Sequence, residues 1–356
     1  MLYGGITMAE KVMVGMSGGV DSAISALLLK NDGYDVTGVN CRFFCHSDES
    51  ALSDTEDARA VAEKIGIPFQ VMDFTEEFKR TVIGSFISVY ENGATPNPCI
   101  VCNSQLKFGS MLTEAERQGF DFIATGHYAQ CGYDEGSGRY YLKKGADASK
   151  DQSYVLYCLT QHQLSRTLFP LGSLTKEKAR EIALAENLVN AKKKDSQDIC
   201  FVPDGDYGSF IEGWLNKTYP AGDFVNTEGK VLGTHKGIIR YTVGQRRGLG
   251  LALPAPMYVK EKDVKNNRVV LCSNEELFTR RVEATDINLI TCSRIDSPIR
   301  VRAKTRYSHK EQWARVWQTD ENTLLAEFEE PVRAVTPGQS LVLYDGDYVV
   351  GGGIIE

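Results

Sequence analysis

The sequence predicts an α/β protein in which a doubly wound parallel sheet is followed by a small central domain and a C-terminal β-barrel. Over residues 11–125, short apolar segments alternate with segments of helical periodicity, a pattern typical of a parallel sheet with helices on both faces. From about residue 276, short strand-like segments are separated by turn residues, which is typical of a small barrel. These changes predict domains at 1–208, 209–275 and 276–356.

Individual elements follow from the local pattern of apolar and turn residues. In the first half we predict alternating strands and helices: strands at Lys11–Met16, within Tyr34–Phe44, at Phe69–Phe74 and at Phe120–Thr125, and helices at Ala23–Lys30, Thr55–Ile65, Glu76–Tyr90 and Leu106–Gln118. The first domain is completed by a hairpin over Gln130–Lys144 and by helices at Ser153–Thr160 and Lys176–Asn187. Barrel strands are predicted at Arg300–Lys304, Ala314–Gln318, Leu324–Phe328, Ser340–Tyr344 and Tyr348–Ile355.

The composition indicates a folded chain that does not enter a membrane. With 356 residues, 42% of them hydrophobic, the chain can build more than one core. No apolar run approaches the length of a bilayer span, and the first ten residues lack the features of a signal peptide. We therefore expect a cytoplasmic location and no membrane partner. The nine cysteines are then expected to be thiols, metal or cluster ligands, or catalytic groups.

The charge distribution leaves a nucleic-acid partner open. The net charge of −7 argues weakly against one, but net charge is a poor guide when basic residues cluster. Three such clusters are present: Lys192, Lys193 and Lys194; Arg240, Arg246 and Arg247; and Arg300, Arg302, Lys304, Arg306 and Lys310.

The strongest local signal is a glycine-rich loop between the first predicted strand and helix, Met16-Ser17-Gly18-Gly19-Val20-Asp21-Ser22. The two glycines let backbone N–H groups approach a phosphate, and the following helix directs its positive end to the same place. The serine hydroxyls add donors, whereas Asp21 suits a phosphate site only if it holds Mg²⁺ or caps the loop. A Walker-type loop would require a lysine after the second glycine, so this loop is of another kind.

Two segments place cysteines in a reactive context. Thr95-Pro96-Asn97-Pro98-Cys99-Ile100-Val101-Cys102 presents two thiols on a proline-stiffened loop. Cys200 follows a basic run that would lower a nearby thiol pKa. No chemical context surrounds Cys131, Cys158, Cys272 and Cys292, so we predict that they are incidental.

The Ser-Gly-Gly-x-Asp-Ser loop resembles the PP-loop of the ATP pyrophosphatase superfamily. Along nearly its whole length the chain resembles the tRNA-specific 2-thiouridylase (MnmA) family through GMSGGVDS (15–22), TPNPCIVCN (95–103), ATGHYA (124–129), KDQSYVLY (150–157), AKKKDSQDICF (191–201), YTVGQRRGLG (241–250) and KTRY (304–307). The resemblance implies an adenine-nucleotide α-hydrolase fold and ATP-dependent 2-thiolation of a tRNA wobble uridine. It also implies ATP and Mg²⁺ as cofactors, and tRNA with a cysteine desulfurase or persulfide relay protein as partners.

The resemblance further implies roles for individual residues. Cys200 would carry a persulfide, and Cys102 would be the second thiol, which releases sulfur or closes a disulfide with Cys200. ATP would be bound by the loop and two further positions: Gly15, Met16, Ser17, Gly18, Gly19, Val20, Asp21, Ser22, Cys41 and Gly126. Asn97, Pro98 and Cys99 would lie against the target base. The tRNA would be contacted by His127, Lys150, Asp151, Gln152, Arg306, Tyr307 and Gln339.

The chain departs from the family pattern at Cys99, where many members have an aspartate that has been assigned as a general base. Cys99, Cys102 and Cys200 together would suit a [4Fe–4S] cluster with one open iron, and other tRNA thiolation enzymes use such a cluster. Two mechanisms therefore remain open, a persulfide relay and a cluster-bound hydrosulfide. Zinc lacks an evident fourth ligand. Cys45, which precedes His46, is expected to be structural or incidental.

Two other function classes are less consistent with the sequence. An amide-forming ligase with the same loop would need neither the cysteine pair nor a basic β-module. A non-enzymatic tRNA-binding protein would not need an intact loop with Ser17, Asp21 and Ser22 in place.

Overall fold

The computed structural model describes residues 9–44, 48–188, 190 and 199–356, with side chains left out at 48–52. Its internal contacts define two compact units. The first unit comprises Met1–Thr81, Ile100–Gln197 and Asp347–Val349, and the second comprises Val82–Cys99, Asp198–Gly346 and Val350–Glu356. The three-domain division remains a prediction. In the described parts of the chain, no helix is both long and apolar enough to span a bilayer.

The secondary structure alternates strands and helices in the first half and is rich in strands in the second. The helices are α1 (Val20–Asn31), α2 (Asp48–Ile65), α3 (Thr75–Phe78), α4 (Gly84–Glu91), α5 (Pro98–Val101), α6 (Met111–Arg117), α7 (Gln161–Ser165), α8 (Lys176–Ala185) and α9 (Tyr207–Leu215). The strands are β1 (Lys11–Gly15), β2 (Asp35–Arg42), β3 (Phe69–Asp73), β4 (Phe122–Ala124), β5 (Ala129–Asp134), β6 (Arg139–Lys144), β7 (Thr167–Leu168), β8 (Gly222–Asn226), β9 (Val231–His235), β10 (Tyr258–Asp263), β11 (Arg268–Cys272), β12 (Phe278–Leu289), β13 (Ile299–Lys304), β14 (Gln312–Gln318), β15 (Leu324–Arg333), β16 (Ser340–Asp345) and β17 (Tyr348–Ile355).

The first unit is built on a parallel sheet with the strand order β3-β2-β1-β4-β7. Strand β1 is central, and Val12, Met13 and Val14 are fully buried, as expected for a strand covered on both faces. The strand order reverses direction beside β1, so the loop after β1 opens at the carboxyl edge where such sheets bind ligands. Helices α1 and α2 contribute apolar residues to the same core as the sheet. The predicted doubly wound fold is confirmed.

Two helices predicted as continuous contain π-helical segments. Residues Lys79–Ile83 interrupt the helix predicted at Glu76–Tyr90, and Cys102–Ser110 form the first part of the helix predicted at Leu106–Gln118. In the second case the Gln163 amide donates hydrogen bonds to the Ser104 and Phe108 carbonyls at 3.0 and 2.8 Å. Because this donor lies about 55 residues away, helical periodicity alone could not show the bulge.

The helix predicted at Ser153–Thr160 was too long, since only a 3₁₀ turn at Ser153–Leu156 forms. At its start, the Asp151 carboxylate accepts hydrogen bonds from the Ser153 N–H at 3.1 Å and the Ser153 hydroxyl at 2.9 Å.

The second unit contains a closed six-stranded barrel. Its strands follow the order β12-β15-β14-β13-β16-β17, and pairing of β12 with β17 closes it. The barrel core includes Val301, Ala314, Val316, Phe328 and Leu341. The predicted barrel is confirmed, although β12 was not predicted. The central segment, for which we predicted a small domain but no individual strands, forms a four-stranded sheet in the order β10-β11-β8-β9.

Candidate functional site

The glycine-rich loop forms a compact turn at the carboxyl end of β1. Gly18 adopts φ +74°, and a Cβ there would lie 2.7 Å from the Asp54 carbonyl oxygen, so only glycine fits. The Ser22 hydroxyl accepts from the Ser17 N–H at 3.2 Å and donates to the Gly19 carbonyl at 3.1 Å. The loop is therefore shaped by its own serine, and α1 begins directly at its end.

Asp21 projects from the first turn of α1 into an ion pair that the sequence did not predict. The Lys176 ammonium lies 2.8 Å from both carboxylate oxygens, and the Tyr128 hydroxyl donates to Oδ1 at 2.9 Å. The Lys176 side chain is only 9% exposed, so the Asp21 carboxylate provides a counter-charge to a buried ammonium. In the sequence, Lys176 resembles any solvent-facing lysine at a helix start.

Buried asparagine side chains donate hydrogen bonds to carbonyl groups of the loop. The Asn40 amide on β2 donates to the Met16 carbonyl at 2.8 Å, and its oxygen accepts from the Thr55 hydroxyl at 2.9 Å. The Asn190 amide donates to the Gly18 carbonyl at 3.0 Å. Sequence patterns did not single out these three residues, because a buried amide has no recognisable spacing. Together they fix two carbonyls of the loop, which keeps the opposite side available to a ligand.

Gly126 packs directly against the loop. A Cβ at this position would lie 2.8 Å from both the Asp21 carbonyl carbon and the Ser22 nitrogen. The residue therefore packs against the loop backbone, and there is no room for any side chain larger than the hydrogen of glycine.

We expect Gly126→Ala to displace the loop, because the clash is with backbone atoms that cannot rotate away. The free energy of unfolding should fall by about 1–3 kcal/mol, and ATP affinity should fall with it. Gly136→Ala is the matched control, since its Cβ would meet nothing nearer than 3.6 Å. Chemical denaturation and ATP titration of both variants test this, and equal ATP affinity in the two variants would contradict it.

Cys41 and His127 are a half-buried and a buried group of the first unit. Burial raises the pKa of Cys41 to about 12, although the nearby Lys107 opposes this, so Cys41 is a thiol at neutral pH. Burial also lowers the pKa of His127 well below its usual range, and the Lys107 charge adds to the effect. The His127 ring is therefore neutral, and its Nδ1 forms a 2.7 Å hydrogen bond with the Thr125 hydroxyl. Neither residue is exposed.

The two cysteines predicted to be catalytic differ in their surroundings. Cys102 is buried and begins the π-helical segment of the first unit. In the second unit Cys200 is exposed, while the next residue, Phe201, is buried against Phe86 and Phe210 with ring centroids 5.1 and 5.3 Å apart. Phe201 therefore anchors the chain directly beside the exposed thiol. Burial raises the pKa of Cys131 and of Cys158 to about 12, consistent with inert thiols.

Several residues predicted to touch tRNA make intramolecular hydrogen bonds. The Asp151 carboxylate accepts from the Gly145 N–H at 3.0 Å, and the Gln152 oxygen accepts from the Tyr128 N–H at 2.9 Å. Arg306 donates to the Val243 carbonyl at 2.8 Å and to the Thr336 hydroxyl. Tyr307 is exposed and Lys150 is half-buried. Their contacts with tRNA remain predictions. The predictions for Cys45, His46 and the run Lys192, Lys193 and Lys194 lie outside the described residues.

The loop that leads into α5 is held by the rest of the second unit. The Gln339 amide donates to the Thr95 and Pro96 carbonyls at 2.9 and 3.1 Å, and the Thr95 N–H donates to the Pro337 carbonyl at 2.8 Å. Lys262 on β10 donates to the Ala94 carbonyl at 3.1 Å. Cys99 itself is exposed.

The half-buried Lys262 predicts a pH dependence of stability. Burial lowers its pKa to about 8, so between that value and its ordinary pKa the folded protein binds fewer protons than the unfolded chain. The contribution of Lys262 to the free energy of unfolding therefore increases as the pH rises. Between about pH 7 and about pH 9.5, the free energy of unfolding of the wild type should rise by about 2 kcal/mol relative to Lys262→Met.

The control for this prediction is Lys260→Met, which changes a more exposed lysine two residues earlier on the same strand. Denaturant titrations at both pH values measure the difference. A Lys262→Met variant whose stability follows the wild type at both pH values would show that the lysine is not buried as described.

Three family models together match nearly all of the chain. A model described as the tRNA methyl transferase HUP domain matches residues 10–204, and one described as the tRNA methyl transferase PRC-barrel domain matches 208–273. A third, the aminomethyltransferase beta-barrel domain, matches residues 279–355.

The chain is also similar to curated proteins over its length. It is 49% identical to a tRNA-specific 2-thiouridylase MnmA of Acetivibrio thermocellus, over 98% of this chain and 99% of the relative. A protein of the same name from Clostridioides difficile has the same identity and coverage. Among solved structures, the NMN synthetase of Francisella tularensis is 16% identical, with a TM-score of 0.35 over 60% of this chain and 80% of that chain.

The parallel sheet, the glycine-rich loop at its switch point and the barrel define an ATP-using protein of the PP-loop class. More narrowly, the chain belongs to the MnmA family of tRNA-specific 2-thiouridylases.

Proposed function

We propose that this protein is a tRNA-uridine 2-sulfurtransferase that converts ATP to AMP and pyrophosphate. The observation that carries the proposal is the intact phosphate loop, with its buried supports, in a chain 49% identical to named 2-thiouridylases. The loop N–H groups, Ser17 and Ser22 would hold the phosphates, and Cys41 and Gly126 would lie beside the nucleotide. Bound Mg²⁺ would neutralise phosphate charge.

Thiolation of uridine needs an activated oxygen, because the C2 oxygen is a poor leaving group. Transfer of AMP to that oxygen releases pyrophosphate and makes AMP the leaving group. The terminal sulfur of a Cys200 persulfide then attacks C2, and AMP departs with the former carbonyl oxygen. The Cys102 thiolate attacks the Cys200 sulfur, which breaks the persulfide bond and leaves a Cys102–Cys200 disulfide. An external thiol reduces this disulfide before the next turnover.

The residue roles rest on the family and on the exposure of the groups concerned. Cys200 is exposed, as a thiol that receives sulfur from another protein must be. Asn97, Pro98 and Cys99 would face the target base, and Tyr307 would contact the tRNA from the barrel. His127, Lys150, Asp151, Gln152, Arg306 and Gln339 would contact the tRNA or support the segments that do. A cysteine desulfurase or relay protein would supply the sulfur, in the cytoplasm.

Methyl transfer, which the names of two matching domain models mention, is less consistent with the site. A methyl donor carries its own leaving group and needs no ATP cleavage, so the phosphate loop would have no role. In addition, sulfur transfer requires reactive thiols such as Cys102 and Cys200, whereas methyl transfer would assign them no role.

The persulfide route is favoured over a cluster route because the family to which the chain belongs supports it. Within the part of the chain that the structure describes, no three histidine, cysteine or acidic side chains are grouped to hold a metal. A [4Fe–4S] cluster on Cys99, Cys102 and Cys200 remains the alternative that the experiment must address.

The experiment is anaerobic purification followed by iron and acid-labile sulfide analysis, with tRNA thiolation measured on the same sample. We expect iron-free protein to thiolate tRNA when given ATP and a persulfide donor. About four irons per chain, lost together with activity in Cys99→Ala, would overturn the persulfide route. Failure to release pyrophosphate with ATP and tRNA would overturn the function itself.

A further inference from the structure

We propose that Gln339 and Lys262 are positioning residues that hold the backbone of residues 94–98, here called the base loop, in the form that accepts the target uridine. The proposal rests on the proposed function and deepens it. It assigns Lys262 a role, and it adds a positioning role to the tRNA contact predicted for Gln339.

The base loop cannot satisfy its own carbonyl groups. Pro96 and Pro98 have no N–H, so two of the donors that could pair within the loop are missing. Buried or partly buried carbonyls need donors from elsewhere. Three consecutive carbonyls, those of Ala94, Thr95 and Pro96, accept hydrogen bonds from the side chains of Lys262 and Gln339 at 2.9–3.1 Å.

The barrel segment that carries Gln339 is fitted closely to this loop. Gly338 has φ +84°, and a Cβ there would lie 3.0 Å from the Thr95 carbonyl oxygen and 3.1 Å from the Ala94 Cβ. The Thr95 N–H donates to the Pro337 carbonyl, so backbone and side chain hold the same residue. The contact therefore depends on a specific backbone shape on both sides.

The chemistry of the Gln339 amide shows which of its atoms hold the base loop. Its nitrogen has two hydrogens, and the two carbonyls of the base loop take them both. Lys262 is half-buried, and its ammonium lies 5.2 Å from the Tyr90 ring centre, so it too faces the protein. Loss of either side chain should loosen the base loop and slow the reaction, with little change in tRNA affinity.

Hydrogen exchange of the tRNA-free protein tests the contact without relying on activity. The Thr95 N–H should exchange at least about tenfold faster in Gln339→Ala and in Lys262→Met than in the wild type. The matched control is Gln318→Ala, which removes another barrel glutamine whose amide donates to a loop carbonyl, that of Glu321. Unchanged Thr95 exchange in both variants would overturn the proposal, whether or not the protein thiolates tRNA.

Single-turnover thiolation is the second test. The rate should fall at least about tenfold in Gln339→Ala and Lys262→Met, with dissociation constants for tRNA and ATP within about twofold of the wild type. Lys262→Arg, which keeps the donor, should recover most of the rate. A Gln339→Ala variant that loses tRNA affinity but keeps its single-turnover rate would show direct tRNA contact and overturn positioning. If the Thr95 N–H exchanges as expected in the wild type and the variants but the wild type does not thiolate tRNA, only the proposed function would be refuted.

Discussion

Replacing Cys200 by serine should abolish tRNA thiolation and leave the ATP reaction intact. Serine keeps the size of the side chain but cannot carry a persulfide, so no sulfur reaches the activated uridine. Cys200 is exposed beside the buried Phe201, so the substitution removes no core packing and should leave stability near that of the wild type. We expect a loss of thiolation of at least about a thousandfold, with pyrophosphate release still dependent on tRNA.

Cys102→Ser should also stop turnover, but at a different step. Under the proposed route, Cys200 would still accept sulfur and attack the activated uridine, so with ATP and tRNA a Cys200–tRNA adduct joined through a disulfide should accumulate. Without tRNA, the same variant should keep a persulfide that mass spectrometry detects on the Cys200 peptide. Cys292→Ala in the barrel is the control and should retain activity. If Cys102→Ser turned over normally, or if Cys200→Ser retained thiolation, the assignment of that thiol would be wrong.

The parallel sheet and the loop could be predicted because each depends on local sequence. Strand β1 is an uninterrupted apolar segment, and Ser17, Gly18, Gly19 and Ser22 form their turn largely through mutual hydrogen bonds. The π-helical segment at Cys102–Ser110 could not be predicted in this way. It is stabilised by Gln163, which becomes a neighbour only in the folded chain.

The electrostatics of the site could be predicted only in part. Asp21 was recognised as an unusual residue beside phosphates, but its partners Lys176 and Tyr128 are 155 and 107 residues distant. In the same way, the hydrogen bonds of Gln339 to Thr95 and Pro96 span more than 240 residues. Family resemblance identified Gln339 as functional, whereas the structure shows what its amide does.

The Asp21–Lys176 pair leads to the second large expected effect. Asp21→Asn should abolish pyrophosphate release, because the loop then lacks the carboxylate that would hold Mg²⁺ beside the phosphates. The same change leaves the buried Lys176 ammonium without its counter-charge, which should cost about 3 kcal/mol of stability. Loss of activity in this variant alone could therefore reflect partial unfolding.

The double variant Asp21→Asn/Lys176→Met separates the two causes. It removes the buried charge as well as the carboxylate, so stability should return towards that of the wild type while pyrophosphate release stays absent. Asp32→Asn, which changes an exposed aspartate at the other end of α1, is the control and should be active and stable. Recovery of pyrophosphate release in the double variant would show that Asp21 serves only to neutralise Lys176. Persistent inactivity in a stable protein would instead place the carboxylate in the adenylation step, upstream of any sulfur transfer.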